Sequence, residues 1–335
     1  MEKVKLGTIG SGVIVHSVLD AVKATENIEL AAVYSRTLEK ATELADEYGA
    51  SHTFTDLKSF FKSSYFNTVY IASPNNLHYE QAKAALLAGK HVICEKPLCT
   101  KDSEAIELAR IAEEKKLVLL EAAPTAYLPN FKLLKESLSK IGKIKLVNSN
   151  YSQYSSRYDA LLAGQLPNIF NPEYAGGCLM DINFYNVYLN VALFGLPLEA
   201  IYYPNLFELP DGKGVTDTSG IMILKYGDFI STNTGAKDSA GINYFQIEGE
   251  KGYIYVTDGS NGLKEIRVVV DGKEEILNQQ DNPDRWFYEI QAIVPMMLEE
   301  RVNELKNRFR ITLETVRVME NARKAAGIIY PGDKE

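Results

Sequence analysis

The chain opens with a strand that turns on glycine into a helix, and no other feature restricts its fold as much. Lys3 to Ile9 is a short apolar run, Gly10-Ser11-Gly12 ends it, and Val13 to Ala24 follows with its apolar residues at helical spacing. The alternation then continues. Ile28 to Tyr34, Thr68 to Ala72, His91 to Cys94 and Leu117 to Leu120 read as strands. Between them Thr37 to Tyr48, His78 to Leu87 and Lys101 to Lys115 read as helices, the first with Thr37 near its start and Gly49 just past its end. Strands so short and so continuously apolar are covered on both faces, and intervening helices make their sheet parallel and doubly wound.

The second half reads differently. Ile144 to Gln153, Leu198 to Phe207, Ser219 to Lys225, Phe229 to Thr234, Tyr244 to Glu248, Tyr253 to Val256 and Ile266 to Val270 have strand character. Turns such as Tyr226-Gly227-Asp228 and Glu250-Lys251-Gly252 join several of them as antiparallel hairpins. Met180 to Leu193 reads as a long helix, and helices over Arg285 to Leu305 and Leu313 to Ala326 close the chain. With 335 residues the chain is too long for one ordinary core. The expected fold class is an α/β Rossmann domain with a doubly wound parallel sheet over residues 1–122. An α+β domain with a large, mostly antiparallel, open-faced sheet follows over 123–335, its last helix packing back on the first domain. Helices on one face leave the other for a partner, and a homodimer or homotetramer through this sheet is expected.

Composition narrows the class. A net charge of -8 with no basic cluster argues against nucleic acid as the partner. No apolar run is long enough to span a bilayer, and MEKVKLGTIG enters a strand directly, so neither a membrane nor a signal peptide is expected. Four histidines lack ligand spacing, which argues against zinc. Cys94, Cys99 and Cys178 are an odd number without metal-like pairing, and a reducing cytoplasm is the expected location.

Gly10 and Gly12 stand where a dinucleotide fold needs them, the first for the tight turn and the second for close approach of the pyrophosphate. The helix start at Val13 and Ile14 then meets the phosphate charge. Val15 replaces the third glycine of the fingerprint, a position that governs helix–strand packing. The second strand ends in Tyr34-Ser35-Arg36-Thr37 rather than in a carboxylate. A carboxylate there would repel a 2′-phosphate, whereas Arg36 would bind one, with Ser35 and Thr37 as hydroxyl donors. NADP(H) is therefore favoured over NAD(H).

Ligands of such sheets lie outside the carboxyl ends of the strands. Ser73-Pro74-Asn75-Asn76-Leu77-His78 and Glu95-Lys96-Pro97 both fall there. Ser73, Asn75 and His78 are expected at the ribose or the nicotinamide carboxamide, although Pro-Asn-Asn is equally a good turn and helix start. Glu95 can accept from ribose hydroxyls. Lys96, restrained by Pro97, can donate to a substrate oxygen.

AGKHVICEKPL, with SPNNLH one helix upstream, GTIGSG at the start and TLETVRVMENARKAAGIIYP at the end, resembles the Gfo/Idh/MocA family. This is the group of nucleotide-dependent sugar oxidoreductases that includes glucose–fructose oxidoreductase and inositol dehydrogenase. The resemblance covers nearly the whole chain and implies that Lys96 lies at the nicotinamide and touches the reacting oxygen. Gly176-Gly177-Cys178-Leu179-Met180-Asp181-Ile182-Asn183-Phe184-Tyr185 resembles the family's second motif. Many members carry His at the last place; the Tyr form is similar to glucose–fructose oxidoreductase and the dihydrodiol and xylose dehydrogenases. Asn183 stands where the family usually has Gly, and Ala126 where Tyr-type relatives often have Arg.

The four-residue spacing puts Asp181 and Tyr185 on one helix face. A free tyrosine phenol is too weak an acid to serve as a base near neutral pH, and an ammonium at hand would stabilise its phenolate. Lys96 and Tyr185 are thus expected to handle the proton, and Asp181 to orient a carbohydrate-like substrate. The reaction expected is hydride transfer to or from a secondary alcohol or carbonyl of a sugar, polyol or related cyclic alcohol. The alternative is a non-catalytic NAD(P)-binding sensor of the same fold.

Overall fold

The structure, a computed structural model, describes residues 3–334. The chain divides into two compact units. The first comprises residues up to Pro124 together with Asn282–Leu313; the second comprises Thr125–Asp281 and the chain from Glu314 on.

In the first unit β1 (Val4–Ile9), α1 (Val13–Lys23), β2 (Ile28–Tyr34), α2 (Leu38–Tyr48), β3 (His52–Phe54) and α3 (Leu57–Lys62) are followed by β4 (Thr68–Ile71), α4 (His78–Leu87), β5 (His91–Glu95), α5 (Asp102–Lys115) and β6 (Leu119–Ala122). All strand pairs are parallel, in the order β3-β2-β1-β4-β5-β6. The order reverses at β1, the switch point at which doubly wound sheets bind nucleotides. Several helices stop or start for a local reason. Gly49 ends α2 with φ 76°, Asp56 caps α3 by accepting the Ser59 amide at 2.7 Å, and α5 has Asp102 and Glu104 in its first turn with Lys115 in its last.

Two short elements escape the periodicity. β3 has three half-buried residues at the sheet edge, and α3 is six residues long, both below the length at which a pattern repeats. β6 lies two residues beyond the expected Leu117–Leu120, because it carries Glu121 where the pattern calls for an apolar side chain. The chain also returns to this unit beyond the break expected at 122/123. Helix α10 (Arg285–Leu298) packs on α1 and β1 and buries Ile290, Ile293, Val294, Met296 and Met297. The single helix expected over Arg285–Leu305 is broken: Glu300 adopts φ 49°, and α11 restarts at Val302 and runs unbroken to Ala325.

The second unit holds α6 (Pro129–Ser137), β7 (Ile144–Ser152), α7 (Ser156–Leu162), a π-helical turn (Leu179–Asn183) and α8 (Phe184–Phe194). Then come β8 (Glu199–Glu208), β9 (Val215–Lys225), β10 (Ile230–Ala236), β11 (Tyr244–Gly249), β12 (Gly252–Thr257), α9 (Gly259–Gly262), β13 (Glu265–Val270) and β14 (Lys273–Leu277). The eight strands run in the order β14-β13-β12-β11-β7-β10-β9-β8 and are antiparallel except for β7 and β10, which pair in parallel. Side chains alternate across the sheet. Val147, Met222, Leu224, Phe245, Ile247, Ile254, Val256, Ile266 and Val268 are buried on one face. Ile201, Tyr203, Ile221 and Ile230 are exposed on the other.

Candidate active site

The first unit builds a cradle at the carboxyl ends of β1, β4 and β5. Gly10 has φ 117°, and a Cβ there would sit 2.6 Å from the Ala72 carbonyl oxygen, so the β1 turn and the end of β4 come together only around glycine. Gly12 differs. It precedes α1 with no side-chain cap on the helix, and a Cβ built on it meets nothing within 4 Å. Packing within the protein does not call for glycine at that point, and the open helix N-terminus there matches the place of the second glycine in the dinucleotide fingerprint. Val13 is 84 % exposed there, Ile14 is half-buried, and Val15 is buried where the third glycine of the fingerprint would lie.

At the end of β2, Ser35 is buried and its amide donates to the Phe54 carbonyl. Arg36 and Thr37 are exposed, and Thr37 starts α2 without a side-chain cap bond. The guanidinium and one hydroxyl therefore stand at an open helix start, as 2′-phosphate recognition requires.

The two turns after β4 and β5 are tied together by His78. Its Nδ1 lies 2.8 Å from the Pro97 carbonyl oxygen and its Nε2 2.8 Å from that of Ser73. The ring is 1 % exposed, so it holds the two turns rather than reaching outward. Ser73 Oγ donates to Gln81 at 2.7 Å, and Asn75 begins a short 3-10 turn, half-buried. Glu95 is buried, and one of its oxygens accepts the Tyr70 hydroxyl at 2.6 Å. Burial raises its pKa, partly offset by Tyr70 and by the charge of Lys96. Lys96 itself is half-buried, and its peptide to Pro97 is cis. Leu98, two residues on, donates its amide to Glu121 Oε1 at 2.8 Å. Glu289 of α10 faces the same group: burial, then the charge of Glu95, pushes it well above the carboxylate range. Three buried carboxyls thus back the Lys96 turn, and only Glu95 stands within the motif that the sequence singles out.

In the second unit the Gly-Gly motif is dictated by packing. A Cβ on Gly176 would lie 2.7 Å from the carbonyl oxygens of Asn168 and Ile169, and one on Gly177, where φ is 127°, 2.1 Å from Asp217 Oδ1. Asp217 is fully buried and accepts the Leu179 amide at 2.6 Å and the Tyr202 hydroxyl at 2.7 Å. Tyr330 closes the motif from the chain end by donating to the Gly176 carbonyl at 3.0 Å.

Asp181 lies in the π-helical turn and Tyr185 in the α-helix after it. The simple one-face reading of their spacing therefore gives way to a turn that is locally wider, a feature common at functional sites. Asn183 ties the wider turn to β10. Its Nδ2 donates to the Asn233 carbonyl at 3.1 Å, and a Cβ on Gly235 would lie 2.7 Å from Asn183 Cβ. Asn186 and Asn190 continue the stripe, donating to Thr234 O at 2.9 Å and Asn233 Oδ1 at 2.7 Å. Asparagine in the place of the family's glycine is thus a strap between the helix and β10. Tyr185 is 5 % exposed and packs edge-on against Tyr151 at 5.9 Å. The Asp181 carboxylate pairs with Lys237, the residue after β10. Nothing in the run Thr234-Gly235-Ala236-Lys237-Asp238 marks Lys237 in sequence, since its role depends on the register of β10. Ala126 is buried in a 3-10 turn.

The glycine turn, the switch-point sheet and the open-faced second sheet define an NAD(P)-type oxidoreductase. Residues 4–122 match the model of the oxidoreductase family with an NAD-binding Rossmann fold, and residues 133–255 match the GFO/IDH/MocA C-terminal domain. The chain belongs to the Gfo/Idh/MocA oxidoreductase family. It is 39 % identical over 332 residues, 99 % of each chain, to scyllo-inositol 2-dehydrogenase (NADP(+)) IolU of Bacillus subtilis. It is 28 % identical to D-xylose 1-dehydrogenase (NADP(+)) 2 of Haloferax volcanii, over 86 % of each chain. Among solved structures it resembles KijD10, a 3-ketoreductase from Actinomadura kijaniata solved with NADP and TDP-benzene, with a TM-score of 0.83, 21 % identity and coverage of 96 % of this chain and 97 % of that one.

Proposed function

We propose that the protein is an NADP(H)-dependent dehydrogenase or reductase of a sugar, polyol or related cyclic alcohol. The observation that carries this reading is the joint retention of Lys96 and Tyr185, the first on the His78-tied turn of one unit and the second on the helix that follows the strapped π-turn of the other. Dependence on NADP rests on Arg36 at the open start of α2 and on the NADP-dependent relatives. The bound nicotinamide supplies the hydride acceptor or donor. In the oxidative direction Tyr185 takes the hydroxyl proton, and Lys96 donates to a substrate oxygen and holds its developing charge. Asp181 accepts from a second substrate hydroxyl and so fixes the ring. A sensor without chemistry needs none of these three groups.

The cytoplasm is the proposed location, on the ground that the buried Cys94, Cys99 and Cys178 form no disulfide among the described residues. No helix among the described residues is long and apolar enough to cross a membrane. The proposed assembly is a homodimer or homotetramer formed through the exposed face of the eight-stranded sheet.

Lys96→Ala and Tyr185→Phe are expected to lower kcat by at least about 100-fold with the NADP dissociation constant within about 3-fold of wild type. Nicotinamide absorbance over a panel of inositols, aldoses and diketones measures the first, and fluorescence titration the second. Wild-type turnover in both variants would remove the mechanism, and NADP binding without turnover anywhere in the panel would favour the sensor. NADPH and NADH compared on one substrate test Arg36.

A further inference from the structure

Lys237 follows the last residue of β10, and its side chain is 6 % exposed. Its backbone is fixed on both sides: the amide donates to Thr218 O and the carbonyl accepts the Ser155 amide, each at 2.9 Å. The ammonium pairs with Asp181 and lies 6.0 Å from the centre of the Phe170 ring. The neighbouring Asp238 is engaged elsewhere, by the hydroxyls of Thr218 and Ser219 at 2.8 Å each. Asp181 is the more open member of the pair, with 28 % of its side chain exposed.

A buried ammonium carries a large desolvation cost, and apolar residues of equal volume often replace buried ion pairs without loss of stability. Stability alone is therefore a weak reason for this pair. Orientation is a better one. A carboxylate on an isolated aspartate rotates about χ2; one tied to a cation whose backbone is locked in a sheet presents a fixed oxygen. The π-turn that carries Asp181 is itself strapped to β10 through Asn183 and Asn186. Carboxylate and cation are thus referred to the same strand.

We propose that Lys237 is a positioning residue of the substrate site, holding the Asp181 carboxylate in the orientation that accepts a hydrogen bond from a non-reacting hydroxyl of a polyol or sugar. This rests on the substrate-positioning role given to Asp181 above. Lys237 acts through Asp181, so the two side chains form one energetic unit.

The test is a double-mutant cycle read by binding, not by turnover. scyllo-Inositol, myo-inositol and D-xylose are titrated calorimetrically into NADP-loaded wild type, Lys237→Met, Asp181→Asn and the double variant. Each single change is expected to weaken the bound polyol by about 10- to 100-fold, the range of a hydrogen bond to a charged group. The double variant should be no weaker than Asp181→Asn alone, and the affinity of Lys237→Met for NADP should be that of wild type. Unchanged polyol affinity in Lys237→Met, losses that multiply in the double variant, or a wild type that binds none of the three compounds would overturn the proposal. If Lys237→Met does not fold, Lys237→Gln, which keeps a donor on a shorter stem, completes the same cycle. Coupled binding without turnover would leave the role of Lys237 standing and remove the dehydrogenase; turnover with no coupling would do the reverse.

Discussion

Glu121 stands in a strand buried on both faces, where a parallel sheet ordinarily carries valine or isoleucine. It is 3 % exposed, and its pKa is raised to about 7, first by burial and further by the charge of Glu95, with the Leu98 amide only partly offsetting both. An acid whose folded pKa lies above its ordinary 4.5 binds its proton more tightly when folded. Stability is therefore highest below about 4.5 and declines as pH rises to about 7, by on the order of 3 kcal/mol for this group. Glu121→Gln keeps an oxygen for the Leu98 amide and removes the titration. Denaturant midpoints at pH 5 and pH 8 should fall for wild type and fall less for the variant. An equal decline in both would show that Glu121 does not titrate in this window. The same carboxyl explains the displaced β6 boundary: a buried acid breaks an apolar run, and its tertiary partners, the Leu98 amide and the Thr312 hydroxyl, explain its presence.

At the level of elements, what was legible in sequence depended on whether the cause was local. The α2 end at Gly49 is set locally, and the β1 turn and the Glu-Lys-Pro turn carry their own glycine and proline signals, so each lies where the pattern predicts, although Ala72, His78 and Glu121 hold the last two in place. β3 was too short to show a period. Glu300 gives no composition signal for a break in a helix: it is exposed and takes the left-handed C-cap position that glycine usually fills, with the Arg301 amide returning to the Met296 carbonyl at 3.0 Å. The π-turn at Leu179–Asn183 is non-local as well, since its straps are to Asn233 and Thr234, some 50 residues on. The start of that turn yields a sharp test. Gly177→Ala would drive a Cβ into Asp217, the acceptor of the Leu179 amide, at a backbone angle unsuited to L side chains. A loss of at least about 3 kcal/mol is expected, with kcat/KM falling alongside. Gly227→Ala is the control, since a Cβ there meets nothing within 4 Å, and it should shift the melting temperature by no more than a degree or two. If both variants melt together, the Gly-Gly motif is not held by Asp217.

For the whole molecule the open question is what covers the outer face of the eight-stranded sheet. Its two edges are closed to strand addition. β8 carries Pro204, which has no amide to donate, and β14 presents Lys273, Glu274 and Glu275, all exposed. The face between them is different. Tyr203 and Ile221 are cross-strand neighbours and are 58 % and 43 % exposed; Ile201, 38 % exposed, lies opposite Ile223 in the next outward-facing pair. Contiguous apolar side chains on the outer face of β8 and β9, beside an edge blocked to strand addition, favour face-to-face burial against a second copy. A specific interface of this kind buries about 800 Å² per subunit. Tyr203→Asp with Ile221→Asp places two carboxylates at its centre without touching the inward face, so the subunit fold should persist while the assembly dissociates. Light scattering should give a dimer or tetramer for wild type and a monomer for the double variant, with unchanged circular dichroism. A wild type that is monomeric at micromolar concentration would leave this face to some other partner. An assembly that survives both charges would place the interface elsewhere on the chain.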